Sequence, residues 1–140
     1  MSSFRAIVLK TGIVAGVVFV ISTYSPLNSL SAAWPLIAGA VAVWLVTRLP
    51  AEHRLLNGLG AAVVAGLIVG VTAFIGIYIV ANFRIHVMHV RDPQGIPAGA
   101  LTAAAIFAFA MIGVVDFTIA VVGGLLAVPV RYFQLRRTHA

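Results

Sequence analysis

The 140-residue chain is 62% hydrophobic and only 9% charged, where a soluble domain runs at roughly 45–50% apolar and about 25% charged. A mean hydropathy of +1.13 excludes both an ordinary soluble globule and a disordered chain, which needs low hydrophobicity and abundant charge. The absence of cysteine removes disulfides, thiolate metal sites, iron–sulfur clusters and thiol nucleophiles together. The net charge of +6 is scattered over loops and ends, without the clustered basic face that nucleic-acid binders present.

Four apolar stretches follow one another along the chain. The first covers residues 6–24 and is broken only by Lys10; the second, 32–49, is uncharged until Arg48. The third, 55–81, carries no charge, and the fourth, 98–130, carries one, Asp116. A helix crossing a bilayer needs about 20 residues, so each stretch predicts one crossing. The fourth is long enough to project beyond the membrane or to bend near Gly123 and Gly124, and one helix with an overhanging end is expected.

The breaks are short and carry turn chemistry. Ser25-Pro26-Leu27-Asn28-Ser29 predicts a turn, with Asn28, Ser29 or Ser31 as a side-chain cap for the second helix and Pro35 in its first turn. Arg48 to Arg54, with Pro50 inside it, predicts a charged hairpin, and Asp92-Pro93-Gln94-Gly95-Ile96-Pro97 cannot continue a helix. Short connections make sequential helices antiparallel neighbours. The expected fold is therefore all-α, a four-transmembrane-helix bundle, up-down-up-down, forming a single integral membrane domain over residues 1–140.

Lys and Arg counts orient such a bundle. With a cytoplasmic N-terminus, Arg5, Lys10, Arg48, Arg54, Arg131, Arg136 and Arg137 lie inside and only Arg84 and Arg91 outside. Both termini are thus expected in the cytoplasm, in the inner (plasma) membrane. The first stretch is too long for a signal peptide's apolar region and its Ser-Ala-Ala too far downstream, so it reads as an uncleaved anchor. Ile13-Val14-Ala15-Gly16 echoes Val63-Val64-Ala65-Gly66, a pattern that two tandem hairpins of one orientation would produce; common residues produce it by chance as well.

Lipid tails are as apolar as leucine, so membrane helices associate by close packing of small residues. Gly12 and Gly16 form such a pair in the first helix; Gly58, Ala62, Gly66 and Gly70 form a stripe along the third; Gly124 extends the theme in the fourth. Trp34, Trp44, Tyr24, Tyr78 and Tyr132 fall near expected interfaces, where amphipathic rings anchor.

Two features could carry chemistry. Asp116 falls within the apolar length of the fourth helix, where an ionised carboxylate costs at least about 2.5–3.5 kcal/mol. It must face the bundle, stay protonated, pair with a cation or line a wet cavity; a bond to Thr72, Thr118 or a carbonyl would make it structural. His86, His89 and Asp92 form the second. On a helix the histidines share a face, with Asp92 one turn beyond, a candidate divalent-metal or pH-sensing group; polar residues ending a helix at the interface are the plainer reading. Paired histidines on facing helices for haem, acyl-transfer triads and phosphate-cradling loops are absent.

The sequence thus predicts a non-enzymatic accessory or structural membrane protein without a cofactor. Its expected partners are the lipid bilayer and either further copies of the chain or other membrane-protein subunits, with no nucleic acid. The competing expectation is an oligomeric ion channel or proton-coupled transporter using Asp116.

Overall fold

The computed structural model describes residues 3–49, 55–89 and 103–138. Four long helices account for most of them: α1 Ser3–Thr23, α2 Ala33–Val46, α3 Leu55–His86 and α4 Ala103–Thr138, with a short 3-10 turn at Asn28–Leu30 between α1 and α2. There is no strand among the described residues. All four helices, α2 taken with the preceding turn, are long and apolar enough to cross a membrane, as a multi-pass membrane protein requires.

The inside of the bundle is lined by small residues and the outside by large ones. Ala42, Ala61, Ala65, Val69, Ala73 and Ala81 are fully buried, while Leu67, Val71, Ile75, Ile79 and Phe83 lie exposed along the opposite side of α3. In water that exterior would be an untenable apolar patch. In lipid it is the favoured arrangement, because small residues let backbones approach and large ones lose nothing by facing acyl chains.

Pairs of residues fix the direction of each helix. Gly12, Gly16 and Val20 of α1 lie against Ile68, Thr72 and Gly76 of α3, in that order, so α1 and α3 run parallel. Gly39 of α2 meets Ala120 and Gly124 of α4, and Thr47 meets Arg131; these two helices are parallel as well. Between α3 and α4 the order reverses, with Ala62 on Gly124, Gly66 on Phe117 and Ala120, and Gly70 on Gly113. Helices α2 and α3 each touch all three others.

At three places the chains meet backbone to backbone. A Cβ on Gly39 would overlap the carbonyl of Ala120, and one on Gly123 would overlap the carbonyl of Leu36. Gly70 and Gly113 face each other, each leaving only 2.6–2.8 Å between a hypothetical Cβ and the other's carbonyl oxygen. The stripe on α3 is shared between neighbours: Gly58 faces Thr47 and Val43 of α2, whereas Gly66 and Gly70 face α4.

Several sequence expectations are corrected. Helix α2 is 14 residues long and begins after Ala32, which makes no side-chain cap bond, so Asn28, Ser29 and Ser31 do not cap it. The backbone bonds Ser31 N to Asn28 O (3.1 Å) and Trp34 N to Ser31 O (3.2 Å) carry the chain into the helix instead, and Pro35 brings no N–H to satisfy. Helix α3 runs past the apolar stretch to His86; α4 is the single helix expected, continuous through Gly123, Gly124 and Pro129, and its 36 residues reach beyond the apolar stretch to Thr138. The sequence echo aligned Gly16 with Gly66, but Gly16 lies beside Thr72, six residues further on and about 9 Å along the helix. Helices related by an axis along the membrane normal would hold equivalent residues level, so the echo is not a structural repeat.

Replacing Gly39 by Ala should cost about 3 kcal/mol or more, since carbonyl and Cβ cannot both be accommodated without separating α2 from α4. Gly60 has nothing within 4 Å of a hypothetical Cβ, and Gly60→Ala should instead stabilise by up to about 1 kcal/mol. Thermal denaturation of both variants in detergent reads the two opposite signs.

Candidate functional site

Asp116 is one helical turn before Ala120, which packs on Gly39, so it comes level with the first turn of α2. It is only 2% exposed, and its Oδ2 is buried without a hydrogen-bond partner. Around it lies a cleft of about 350 Å³ between α1 and α4, closed on one side by the α1–α2 turn. Thr23 from the end of α1 and Asn28 and Ser31 from the turn supply its polar wall; Phe19, Met111 and Ile112 belong to its apolar one.

The local structure explains why this wall is polar. The Thr23 hydroxyl donates to the Phe19 carbonyl at 2.9 Å, and the Ser25 hydroxyl donates to the Ser22 carbonyl at 2.9 Å while accepting from the Leu27 N–H at 3.2 Å. These bonds end α1 and turn the chain, and the turn brings Asn28 and Ser31 into the lining of the cleft that Asp116 shares. Neither of the two threonines considered from sequence as partners of Asp116 serves it. Thr118 donates to its own helix at Val114 O, 2.9 Å, and Thr72 packs its methyl group on Gly16.

A second polar centre occupies the opposite end of the bundle. Arg131 of α4 donates from Nε to Thr47 Oγ1 at 2.9 Å and from a terminal nitrogen to the Thr47 carbonyl at 3.3 Å. Thr47 in turn donates to the Val43 carbonyl at 2.8 Å. A guanidinium therefore sits on the Thr47 carbonyl at the end of α2, where the helix leaves acceptors unpaired and its dipole is negative. The Trp44 ring is approached by both Arg131 and Arg48, at 5.4 and 5.2 Å to the centroid, within cation–π range.

Charge is distributed unevenly between the ends. Arg5, Lys10, Arg48, Arg131, Arg136 and Arg137 are at the end holding the α1 start and the α2 and α4 termini, and Arg84 is at the other. Arg84 lies over the Tyr24 ring at 5.4 Å, with its Nε buried and unpartnered.

The histidine group takes a different form from the helical alignment considered above. Helix α3 ends at His86, and His89 lies beyond it with a left-handed φ of 53°, so the two are not placed three apart on one helix. Both are exposed, and Asp92 lies outside the described residues, as do Arg54 and Arg91. Among the described residues no three His, Cys, Asp or Glu side chains gather as a metal site.

The backbone-to-backbone glycines Gly39 and Gly123 and the Arg131 cap on α2 were not read from the sequence. Gly39 has Pro35 and Val43 four positions away, neither of them Gly, Ala or Ser, so the four-residue pattern passes it by. Gly123 does have Ala127 at that spacing, a signal adjacent to the Gly124 that was read. No protein-family model, curated protein or solved structure matches the chain.

Arg131→Ala and Thr47→Val should each destabilise the protein by about 1–2 kcal/mol, a partly buried charged hydrogen bond being worth somewhat less than a fully enclosed one. Because both remove the same bond, the double variant should lose less than the two single losses combined. Thermal melts of the four proteins in one detergent give the coupling.

Proposed function

We propose that the protein is a non-enzymatic accessory or structural protein of the inner membrane, with both ends in the cytoplasm, that works by packing against other membrane-protein subunits. One observation carries this reading: the buried polar side chains among the described residues are Ser22, Thr23, Asp116 and Thr47, and Thr47 stands at the far end of α2 from the other three. The other buried residues are alanine, glycine, valine and proline with Phe19 and Ile77, whose side chains offer no hydrogen bond to a hydrated ion or polar solute.

The second reading, an oligomeric ion channel or proton-coupled transporter, is favoured by the unpartnered Oδ2 of Asp116. An axis shared between copies must be lined from protomer surfaces, however, and Asp116 is enclosed by its own α1 and its own α1–α2 turn. That geometry favours the packing role.

Liposomes containing the purified protein should show no proton, sodium or potassium flux above protein-free liposomes, and Asp116→Asn should change nothing in that measurement. Flux that is lost in Asp116→Asn would establish the transport reading in its place. The orientation follows from the uneven charge between the bundle ends. With no native cysteine, single reporters test it cleanly: Ser29→Cys should react with a membrane-impermeant maleimide on intact spheroplasts, and Thr138→Cys only after permeabilisation.

A further inference from the structure

The cleft around Asp116 has a composition that selects its occupant. It holds a buried carboxyl with one oxygen unpartnered, and a buried acceptor without a donor costs about 1–3 kcal/mol, more when charged. Thr23 spends its hydroxyl proton on the Phe19 carbonyl, so its oxygen faces neighbours as an acceptor. Asn28 and Ser31 add oxygen acceptors on the same wall. Asn28 and Ser31 can donate as well as accept, but Asp116 is the one acid of the lining and no Lys, Arg or His joins it, so a group that brings positive charge and N–H donors suits the site. Arg84, the described guanidinium at this end of the bundle, is engaged over Tyr24 and is not part of the cleft lining.

The rest of the lining is apolar, with Phe19 from α1 and Met111, Ile112, Val115 and Ile119 from α4. A bare metal ion gains nothing from these apolar residues, whereas the hydrocarbon part of an organic cation does. A volume of about 350 Å³ lies in the range of small-molecule sites, which are largely apolar with a few placed polar groups. An ammonium group is three donors without an acceptor, and an aromatic ring beside it adds attraction.

We propose that this cleft binds a primary ammonium group attached to an apolar chain, with Asp116 as its counter-ion and Thr23, Asn28 and Ser31 as acceptors. The primary ammonium is common to a free alkylamine and to phosphatidylethanolamine, where an ethyl phosphate, which would have to stay outside the cleft, joins it to the acyl chains. The inference is independent of the packing role, since a site at one end of the bundle needs no route to the other.

The test titrates the full chain in dodecylmaltoside with n-pentylammonium chloride by calorimetry, with n-pentanol and potassium chloride as controls. Saturable binding of the ammonium alone is expected, weakened at least tenfold by Asp116→Asn. Ser31→Phe, which fills the cleft and leaves the carboxyl in place, should weaken it equally and carries the test if Asp116→Asn does not fold. If the lipid is the natural source, wild-type protein retains phosphatidylethanolamine in native mass spectrometry, the variants lose it, and pentylammonium displaces it. Saturable binding without lipid retention identifies a free amine. Absence of both, or binding unchanged in the variants that fold, overturns the proposal.

Discussion

A bundle in lipid must be held by contacts that acyl chains cannot match. Apolar burial supplies no net drive there, so dispersion between closely approaching backbones has to supply it. In this chain that requirement is met at Gly39 on Ala120, Gly123 on Leu36 and Gly70 on Gly113. Helix α4 takes part in all three. The arrangement of the remaining helices follows, since α2 and α3, seated on α4 through these glycines, form the central pair against which α1 is laid.

The same constraint sets the geometry of the two polar centres. Close approach of α2 and α4 brings Arg131 onto the end of α2, where its donors meet the Thr47 hydroxyl and carbonyl. It also brings Asp116 level with the beginning of α2. Because α2 is only 14 residues long, the α1–α2 turn comes to that level, and its hydroxyl and amide groups share a cleft with a carboxyl whose neighbours on α4 are apolar. One helix being short therefore produces both a capped end and a polar cleft.

Much of the fold was legible in the sequence because length and composition determine membrane crossings. Four charge-poor stretches became four helices, and the long fourth stretch stayed a single helix through its glycine pair. Less of the local detail was legible. The α3 stripe reads as one surface, yet Gly58 serves α2 while Gly66 and Gly70 serve α4, a division that depends on the crossing of three helices. The start of α2 was misread because 3-10 backbone bonds do the work assigned to a side-chain cap. Asp116 stood out from sequence as a lone acid in an apolar run, but its surroundings did not. Phe19, Thr23 and Ser31 lie more than eighty residues away, and only the fold brings them to it.

The close approach of α3 and α4 is the claim on which the rest stands, and solid-state NMR of the protein in lipid bilayers addresses it directly. With the glycines labelled at Cα, the structure predicts a through-space cross-peak between Gly70 and Gly113, two residues separated in sequence by the second half of α3, the connection and the start of α4. A spectrum in which both signals are sharp and assigned, and no such cross-peak joins them, would contradict the packing described.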